Sequence, residues 1–453
     1  MCILYVFVFT FTFHNYLKEF YLLLYENMGL DDTIIRYTIW FLYFVSLYLL
    51  LYWLFVMFEY NAPTKKRSII NKEEEVTIIL PMWNEEENIG PTLDSLFKSV
   101  YPKEKLHVIV VDDGSTDNSY NIAKEYQKKY HFKLIHQENG GKYTALNKGL
   151  EFVTTPYFAC LDVDGYVDKY AIRNIQKEFT HENVAAVMPI MKVAEQKNML
   201  QKVQALEYIL NIFLKFFISK INCVHVTPGP LSTYRTDVIK KLGGFVKGYN
   251  VEDLEMALRL QSKHYEIKQS SDAIIYTKAP ATLKGFVAQR LRWYLGSMKN
   301  VLISYRYILF NKKYGEFGIF YFPFVALNGL LGFIGVGIVS YLAIRSVYRT
   351  IRMWILTNFD FVTYITSFSL NFDVLALNFQ MIVTGVILYL IIFFYIYLAY
   401  INAKEPLSLK QTFTKSIMFL YFFFVLKFIL AYIWFKVFYR LIKGESNVWI
   451  KSK

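Results

Sequence analysis

Cysteine is scarce in this chain. Its 453 residues include only Cys2, Cys160 and Cys223, with no C-x-x-C pair, which excludes a disulfide framework and a thiolate zinc site. No G-x-G-x-x-G or G-x-x-x-x-G-K-[ST] follows the first strand-like run. A dinucleotide oxidoreductase or a P-loop ATPase would therefore lack its phosphate-cradling backbone. Acidic residues are the minority charge, 37 Asp plus Glu against 50 Lys plus Arg, for a formal balance of +13 with His neutral. The lysines are dispersed and bring no helix-turn-helix, zinc-finger or RNA-binding signature. The surplus thus reads as attraction to an anionic inner leaflet and tolerance of anionic nucleotides, with no nucleic-acid partner.

What the chain has in excess is apolar and aromatic. Apolar residues make up 55% and aromatics 19%, with 40 Phe and 37 Tyr, which suits helices crossing a bilayer better than one soluble core. The run Tyr37–Phe58 is 22 residues without a charge, enough to cross about 30 Å of hydrocarbon as a helix. Lys65, Lys66 and Arg67 follow it and place that end in the cytoplasm. The first 26 residues fit a spanning or an interfacial helix equally, and no signal peptide is expected without a basic n-region or a small-residue cleavage site.

Towards the C-terminus, residues 317–344, 377–399 and 416–439 each reach spanning length. Lys427 and Lys436 are the only charges in the last of these runs, and Lys427, near its middle, is the harder to place. Residues 345–376 read as an outside loop, an amphipathic interfacial helix or a marginal fourth span. The expected organisation is an N-terminal membrane region over 1–60 with one or two helices and a cytoplasmic domain over 61–310. A membrane region with three or four helices over 311–442 and a short basic tail over 443–453 complete it. So short a tail leaves no expectation of cyclic-dinucleotide regulation within this chain.

The middle of the chain alternates strand and helix signals. VTIILP at 76–81 and LHVIVV at 106–111 are β-branched runs, and strand patterns recur at 132–136 and 157–161. Helical patterns follow them, in NEEENIGPTLDSLFKSV after the first strand, over 119–130, and over 145–151. This alternation predicts an α/β fold with a mostly parallel sheet and functional residues beyond the carboxyl ends of the strands. Asp112 and Asp113 end the second strand, and Asp162 and Asp164 end the fourth.

The motifs VVDDGSTD at 110–117, GGKYTALNKGL at 140–150, LDVDG at 161–165, GPLSTYR at 229–235, VEDLEMALRL at 251–260 and QRLRW at 289–293 occur in that order. Together they resemble the processive membrane glycosyltransferases of family 2, the group containing cellulose, chitin, hyaluronan and poly-N-acetylglucosamine synthases. The resemblance covers roughly residues 75–300 and implies a GT-A-type nucleotide-sugar-binding domain flanked by transmembrane helices.

The chemistry of each position stands beside that resemblance. Asp112 and Asp113 can accept hydrogen bonds from a nucleotide's base or ribose, a role the resemblance gives chiefly to Asp113; an Asx-type helix cap is the bland alternative. Asp162 and Asp164 are alternate residues at a strand end and offer hard oxygen ligands that suit Mg2+ or Mn2+ beside a diphosphate. The resemblance makes Asp164 the direct metal ligand, and a solvated turn is the alternative.

Transfer to a hydroxyl requires a base, and the resemblance assigns it to Asp253, with Val251 departing from the usual threonine and Glu252 free to act as a cap. Gln289, Arg292 and Trp293 present an amide, a cation and an indole on one helix face, for a departing diphosphate and an acceptor sugar; a basic interfacial helix with an anchoring Trp is the alternative. Arg290 is expected to address lipid or solvent. Lys142 resembles a donor-phosphate contact, and His225 has a weaker claim as a lone histidine.

The resemblance implies an inverting, metal-dependent transfer from a UDP-sugar, with UDP-N-acetylglucosamine suggested by GPLSTYR, to a growing saccharide passed across the membrane. Two alternatives remain: a single-sugar transferase acting on a polyprenyl phosphate or glycolipid, and a transporter or scaffold with a degenerate transferase domain.

Overall fold

The segment VTIILPM forms strand β1 (Val76–Met82), and all but Pro81 of its residues are buried, as expected of a strand covered on both faces. Strands β2 (Leu106–Asp113), β3 (Lys133–Gln137), β4 (Tyr157–Cys160), β5 (Gly165–Val167), β6 (Val184–Val193), β7 (Ser232–Arg235) and β8 (Glu266–Thr277) complete one sheet in the order β3-β2-β1-β4-β7-β6-β8-β5. The computed structural model describes residues 73–356, 358 and 379–445, with isolated positions between 37 and 56. The first 26 residues, most of the Tyr37–Phe58 run, nearly all of 357–378 and the tail beyond 445 lie outside the described residues.

The sheet is mixed, which corrects the expectation of a mostly parallel one. The β3-β2-β1-β4 half is parallel throughout, whereas β4 meets β7, β7 meets β6 and β8 meets β5 antiparallel, and β6 pairs with β8 in parallel. The parallel half carries the strand-helix alternation that the sequence displays. Helices α1 (Ile89–Phe97), α2 (Ser119–Tyr130) and α3 (Lys142–Glu151) connect its strands. Ile89, Leu93 and Leu96 turn one face of α1 into the core with Ile78, Leu80, Val108 and Val110.

The crevice beyond β1 has a main-chain cause. Pairing between β1 and β4 runs from Val76↔Tyr157 to Ile79↔Cys160, and the last hydrogen bond, Leu161 N to Ile79 O, is 2.9 Å. Main-chain groups of a strand alternate sides, so Pro81 presents its nitrogen to the side that Ile79 faces, and that nitrogen carries no hydrogen. The chain then leaves β1 and turns through Asp162–Gly165, closed by Gly165 N to Asp162 O at 2.9 Å.

Beyond the sheet's centre come α4 (Ala171–Gln176), α5 (Met199–Lys220), α6 (Thr236–Lys241), α7 (Glu252–Ser262) and α8 (Leu283–Lys299), then α9 (Phe322–Leu356), α10 (Phe379–Asn402) and α11 (Leu409–Ile442). Asn198 and Gln201 form a reciprocal capping box at the start of α5, and Thr282 accepts from Gly285 N at 3.1 Å to start α8.

The chain divides into two compact units. One contains residues 56–326, 397–409 and 436–453, and the other contains 1–55, 327–396 and 410–435. Within the second, Tyr389 Oη and Ser416 Oγ lie 2.8 Å apart, and Gly329 packs directly on the Trp434 ring. Among the described residues, one helical run, Phe317–Leu356, is long and apolar enough to cross a membrane. Residues 377–399 and 416–439 fall largely within α10 and α11, and residues 345–356 continue α9.

Candidate active site

The carboxyl ends of β2 and β4 and the N-terminus of α7 converge on Lys142. Its ammonium lies 2.5 Å from Asp162 Oδ1 and 3.3 Å from Glu252 Oε1. Burial by itself would lower the Lys142 pKa, yet the charges of Asp162, Glu252 and Asp253 outweigh it and raise the value. Lys142 is therefore a fixed cation at the centre of three acids.

Lys142 starts α3, and Asp113 shapes the turn before it. Asp113 Oδ1 accepts from Gln137 Nε2 at 2.7 Å and Gly140 N at 2.9 Å, and Asp113 Oδ2 accepts from Gly141 N at 2.9 Å. These bonds occupy three of the roughly four acceptor positions of a carboxylate. Asp112, fully buried, pairs with His136 Nδ1 at 2.6 Å and accepts weakly from Ser115 N at 3.4 Å. In this geometry both residues of the first acidic pair brace the loops around the crevice.

Asp162 and Asp164 flank Val163, whose carbonyl accepts from the Thr92 hydroxyl. Burial first, then Asp162 and Glu85, push the Asp164 carboxyl up to about 7, although Lys142 opposes the rise. Asp164 makes no ion pair or side-chain hydrogen bond among the described residues, whereas Asp162 is engaged by Lys142. Two carboxylates two residues apart, one with no side-chain partner among the described residues, fit a hard divalent cation. Among the described residues no group of three His, Cys, Asp or Glu could hold a metal, so such an ion would take its other ligands from phosphate and water.

Gly229, of the GPLS segment, closes the floor of the site. A Cβ at this position would lie 2.5 Å from Asp162 Oδ2 and 2.9 Å from Lys142 Nζ. No side chain larger than hydrogen fits between the backbone and that ion pair.

Glu252 and Asp253 begin α7, where the helix dipole favours negative charge. Their environments still drive them apart. Burial disfavours the charged form of Glu252, but Lys142 and a backbone hydrogen bond outweigh it and hold the carboxyl below its ordinary value. Burial and the Glu252 charge push Asp253 up to about 6, against the pull of Lys142 and Arg292. Two neighbouring acids whose proton affinities are separated in this way divide into a permanent charge and a proton acceptor. Thr227 Oγ1 donates to Asp253 O at 2.9 Å and is itself 2.9 Å from Tyr234 Oη, which ties the Asp253 main chain to β7.

Helix α8 contributes the remaining residues. Arg292 Nη1 donates to Asn250 O at 2.9 Å, and its charge acts on both Glu252 and Asp253. Gln289 has a buried Oε1 without a hydrogen-bond donor, an orphan acceptor on the helix face that carries Arg292. Arg290 does not address lipid or solvent as expected: it is 5% exposed and pairs with Glu207 of α5 at 2.8 Å. Its guanidinium lies 4.8 Å from the Trp293 ring and 5.1 Å from Phe286. The largely buried carboxylate of Glu207, about two turns into α5, holds it there.

His225 Nδ1 is 3.0 Å from Tyr321 Oη, and burial with nearby Lys215 lowers its pKa to about 3. It is a neutral, packed imidazole. The structure thus links Lys142, Asp162, Glu252, Asp253 and Arg292 through direct contacts or mutual charge, while Asp113 reaches them only through the Gly141 backbone that precedes Lys142. Glu252, Thr227 and Gly229 join them without having been assigned a catalytic-site role from sequence. The GPLS and VED motifs carried that signal for Gly229 and Glu252, whereas Thr227 lies two residues ahead of GPLS.

Residues 77–243 match the family described as glycosyl transferase family 2. The chain carries a family 2 glycosyltransferase domain. The transferase is 27% identical over 287 residues to a poly-beta-1,6-N-acetyl-D-glucosamine synthase of Staphylococcus epidermidis, an alignment covering 60% of this chain and 68% of that relative. It is also 27% identical over 285 residues to the synthase of the same name from Staphylococcus aureus (strain COL), covering 60% and 69% respectively. Among solved structures, a mannosyltransferase from Pyrobaculum calidifontis in complex with GDP-Man and Mn2+ superposes with a TM-score of 0.53 at 18% identity, covering 77% of this chain and 93% of its own. That likeness is one of fold, a GT-A-like α/β domain with a mixed sheet.

Proposed function

We propose that the transferase moves a sugar from a UDP-sugar, UDP-N-acetylglucosamine first, to the hydroxyl of a growing saccharide, with inversion at the anomeric carbon. The observation that carries this reading is the cluster in which Lys142 Nζ lies 2.5 Å from Asp162 Oδ1 and 3.3 Å from Glu252 Oε1, with Asp253 next in the chain at the start of α7 and its carboxyl raised by burial. Asp253, with a pKa of about 6, is ionised at neutral pH and accepts a proton with little penalty. As the acceptor oxygen bonds to the anomeric carbon, its proton passes to Asp253 and the bond to the diphosphate oxygen breaks. Negative charge then grows on the departing UDP, where Arg292 and Lys142 are fixed cations.

Asp164, with Asp162, would hold Mg2+ or Mn2+, which supplies positive charge against the diphosphate when bound. Asp112 and Asp113 shape the nucleotide end of the crevice through the loops they brace, while Gln289 and Trp293 serve the saccharide, the amide by its orphan oxygen and the indole by stacking. The flanking apolar helices anchor the transferase domain at the cytoplasmic face of the cell membrane, in contact with lipid, and pass the product outward. The similarity to two staphylococcal poly-beta-1,6-N-acetyl-D-glucosamine synthases supports N-acetylglucosamine as the sugar.

The experiment is product analysis of the purified protein in lipid vesicles with Mg2+ or Mn2+, supplied in turn with labelled UDP-N-acetylglucosamine, UDP-glucose, UDP-glucuronate, UDP-galactose and GDP-mannose. A long polymer from UDP-N-acetylglucosamine is expected. One labelled lipid product would replace this reading with single-sugar transfer to a glycolipid, and no transfer from any donor would overturn it.

A further inference from the structure

Three consecutive residues ahead of the VED segment have left-handed backbones: Gly248 at φ 48°, Tyr249 at φ 58° and Asn250 at φ 64°. Such a run is strained at each residue bearing a side chain and persists only where surrounding structure imposes it. Here the imposing element is one face of α8 and its extension. Arg292 donates to Asn250 O at 2.9 Å, and Asn300 Nδ2 donates to Gly248 O at 2.8 Å and to Gly296 O at 3.0 Å.

Residues 292, 296 and 300 are four apart, so they stack along a single stripe. Gly296 lets the two backbones approach: a Cβ there would lie 2.6 Å from Val251 Cγ2 and 3.0 Å from Tyr249 O. Asn300, 1% exposed, also begins a π-helical turn, Asn300–Ser304, an irregularity that recurs at functional sites.

We propose that Asn300, seated by Gly296, is a positioning residue that clamps the left-handed loop 248–250 and thereby aims Asp253 at the acceptor hydroxyl. The clamp explains a division of labour along α8. Arg292 sits where it must serve both the loop carbonyl and a diphosphate, whereas Asn300 bonds only the loop and its own helix, through Gly248 O and Gly296 O. It therefore keeps the loop in place when the guanidinium turns to the leaving group. Val251, at the position where the family pattern has threonine, contributes packing on Gly296 in place of a hydroxyl.

The inference rests on the reading of Asp253 as the base, and two measurements separate them. In the full chain in vesicles, Asn300→Leu and the nearly isosteric Asn300→Asp should lower kcat tenfold or more with donor KM within about twofold, since misplacing a reacting group by about 1 Å can cost a hundredfold. Because Asn300 acts through Asp253, adding Asn300→Leu to Asp253→Asn should lower the residual rate little further. Amide hydrogen exchange without donor should quicken at 248–254 in both Asn300 variants. Multiplicative losses in the double variant, or unchanged exchange at 248–254, would overturn the clamp. If the unaltered protein transfers no sugar, the functional reading fails, while the exchange rates still judge the clamp.

Discussion

Lys142 Nζ lies 2.5 Å from Asp162 Oδ1, so the first carboxylate of the D-x-D pair is neutralised by the chain's own cation before any ligand arrives. That leaves Asp164 as the carboxylate open to an added cation. It also places a positive charge beside the base, because the same ammonium pulls the Asp253 pKa down.

Replacing Lys142 by Met should reduce turnover at least a hundredfold, through lost stabilisation of the leaving diphosphate. It should also move the acidic limb of the kcat profile upward in pH, since Asp253 loses an attractive charge. A pH–rate series on the variant's residual activity checks the direction.

For the unaltered enzyme the sign follows from the Asp253 value. The base works ionised, and burial has raised its pKa to about 6, so kcat should fall as pH drops through 6 and level off above 7. Asp253→Asn should lose 10²–10⁴ in rate, remove that limb and leave UDP binding intact. Stopped-time assays between pH 5 and 8, with UDP titrations by calorimetry, test the three points together.

The acid pair predicts a metal effect on the protein itself. Adding Mn2+ with UDP should raise the melting temperature, and chelation should reverse the gain. Asp164→Asn should abolish most of this shift. An equal shift in that variant would move the metal assignment away from Asp164.

Gly229→Ala pushes a methyl group into the Lys142–Asp162 pair, 2.5 Å from Asp162 Oδ2. Overpacking of this kind costs about 1–3 kcal/mol. Turnover should fall more steeply than stability, because the displaced atoms are the charges proposed to serve the diphosphate and its metal. Comparing melting temperature with kcat decides this.

The Glu207–Arg290 pair is largely withdrawn from solvent, with the guanidinium 6% and the carboxylate 15% exposed. Glu207→Ala strands a buried guanidinium and should cost about 3–5 kcal/mol, whereas the double change Glu207→Ala with Arg290→Met should recover much of it. Thermal unfolding of the single and double variants in detergent measures the difference.

The parallel half of the sheet was legible because β1 and β2 are apolar runs followed by helical patterns, with the shorter β3 and β4 placed between or after them. The helix over 119–130 falls where its spacing predicts it. The other half was not, for identifiable reasons. Strand β5 is three residues long and β7 only four, too short to show a period. Strand β8 alternates polar residues such as Gln269 and Ser270 that are buried by its neighbours, and this masks the pattern.

Among the site residues, Lys142, Asp162, Asp253 and Arg292 were visible as chemistry in motifs. Arg290 was misread because nothing local to QRLRW reveals Glu207, 83 residues away. The roles of Thr227 and Gly229 depend on contacts across the fold, and the sequence names such residues without showing what they touch.

Pro81 gives the crevice a permanence that side chains alone would not provide. Two strands left side by side tend to go on zipping, each new rung favoured by the one before it. At Pro81 the next rung lacks its donor, which disfavours further pairing of β1 with β4 beside Asp162 and Asp164. The opening is written into the main chain, and loops around it can diverge in sequence without the gap healing shut.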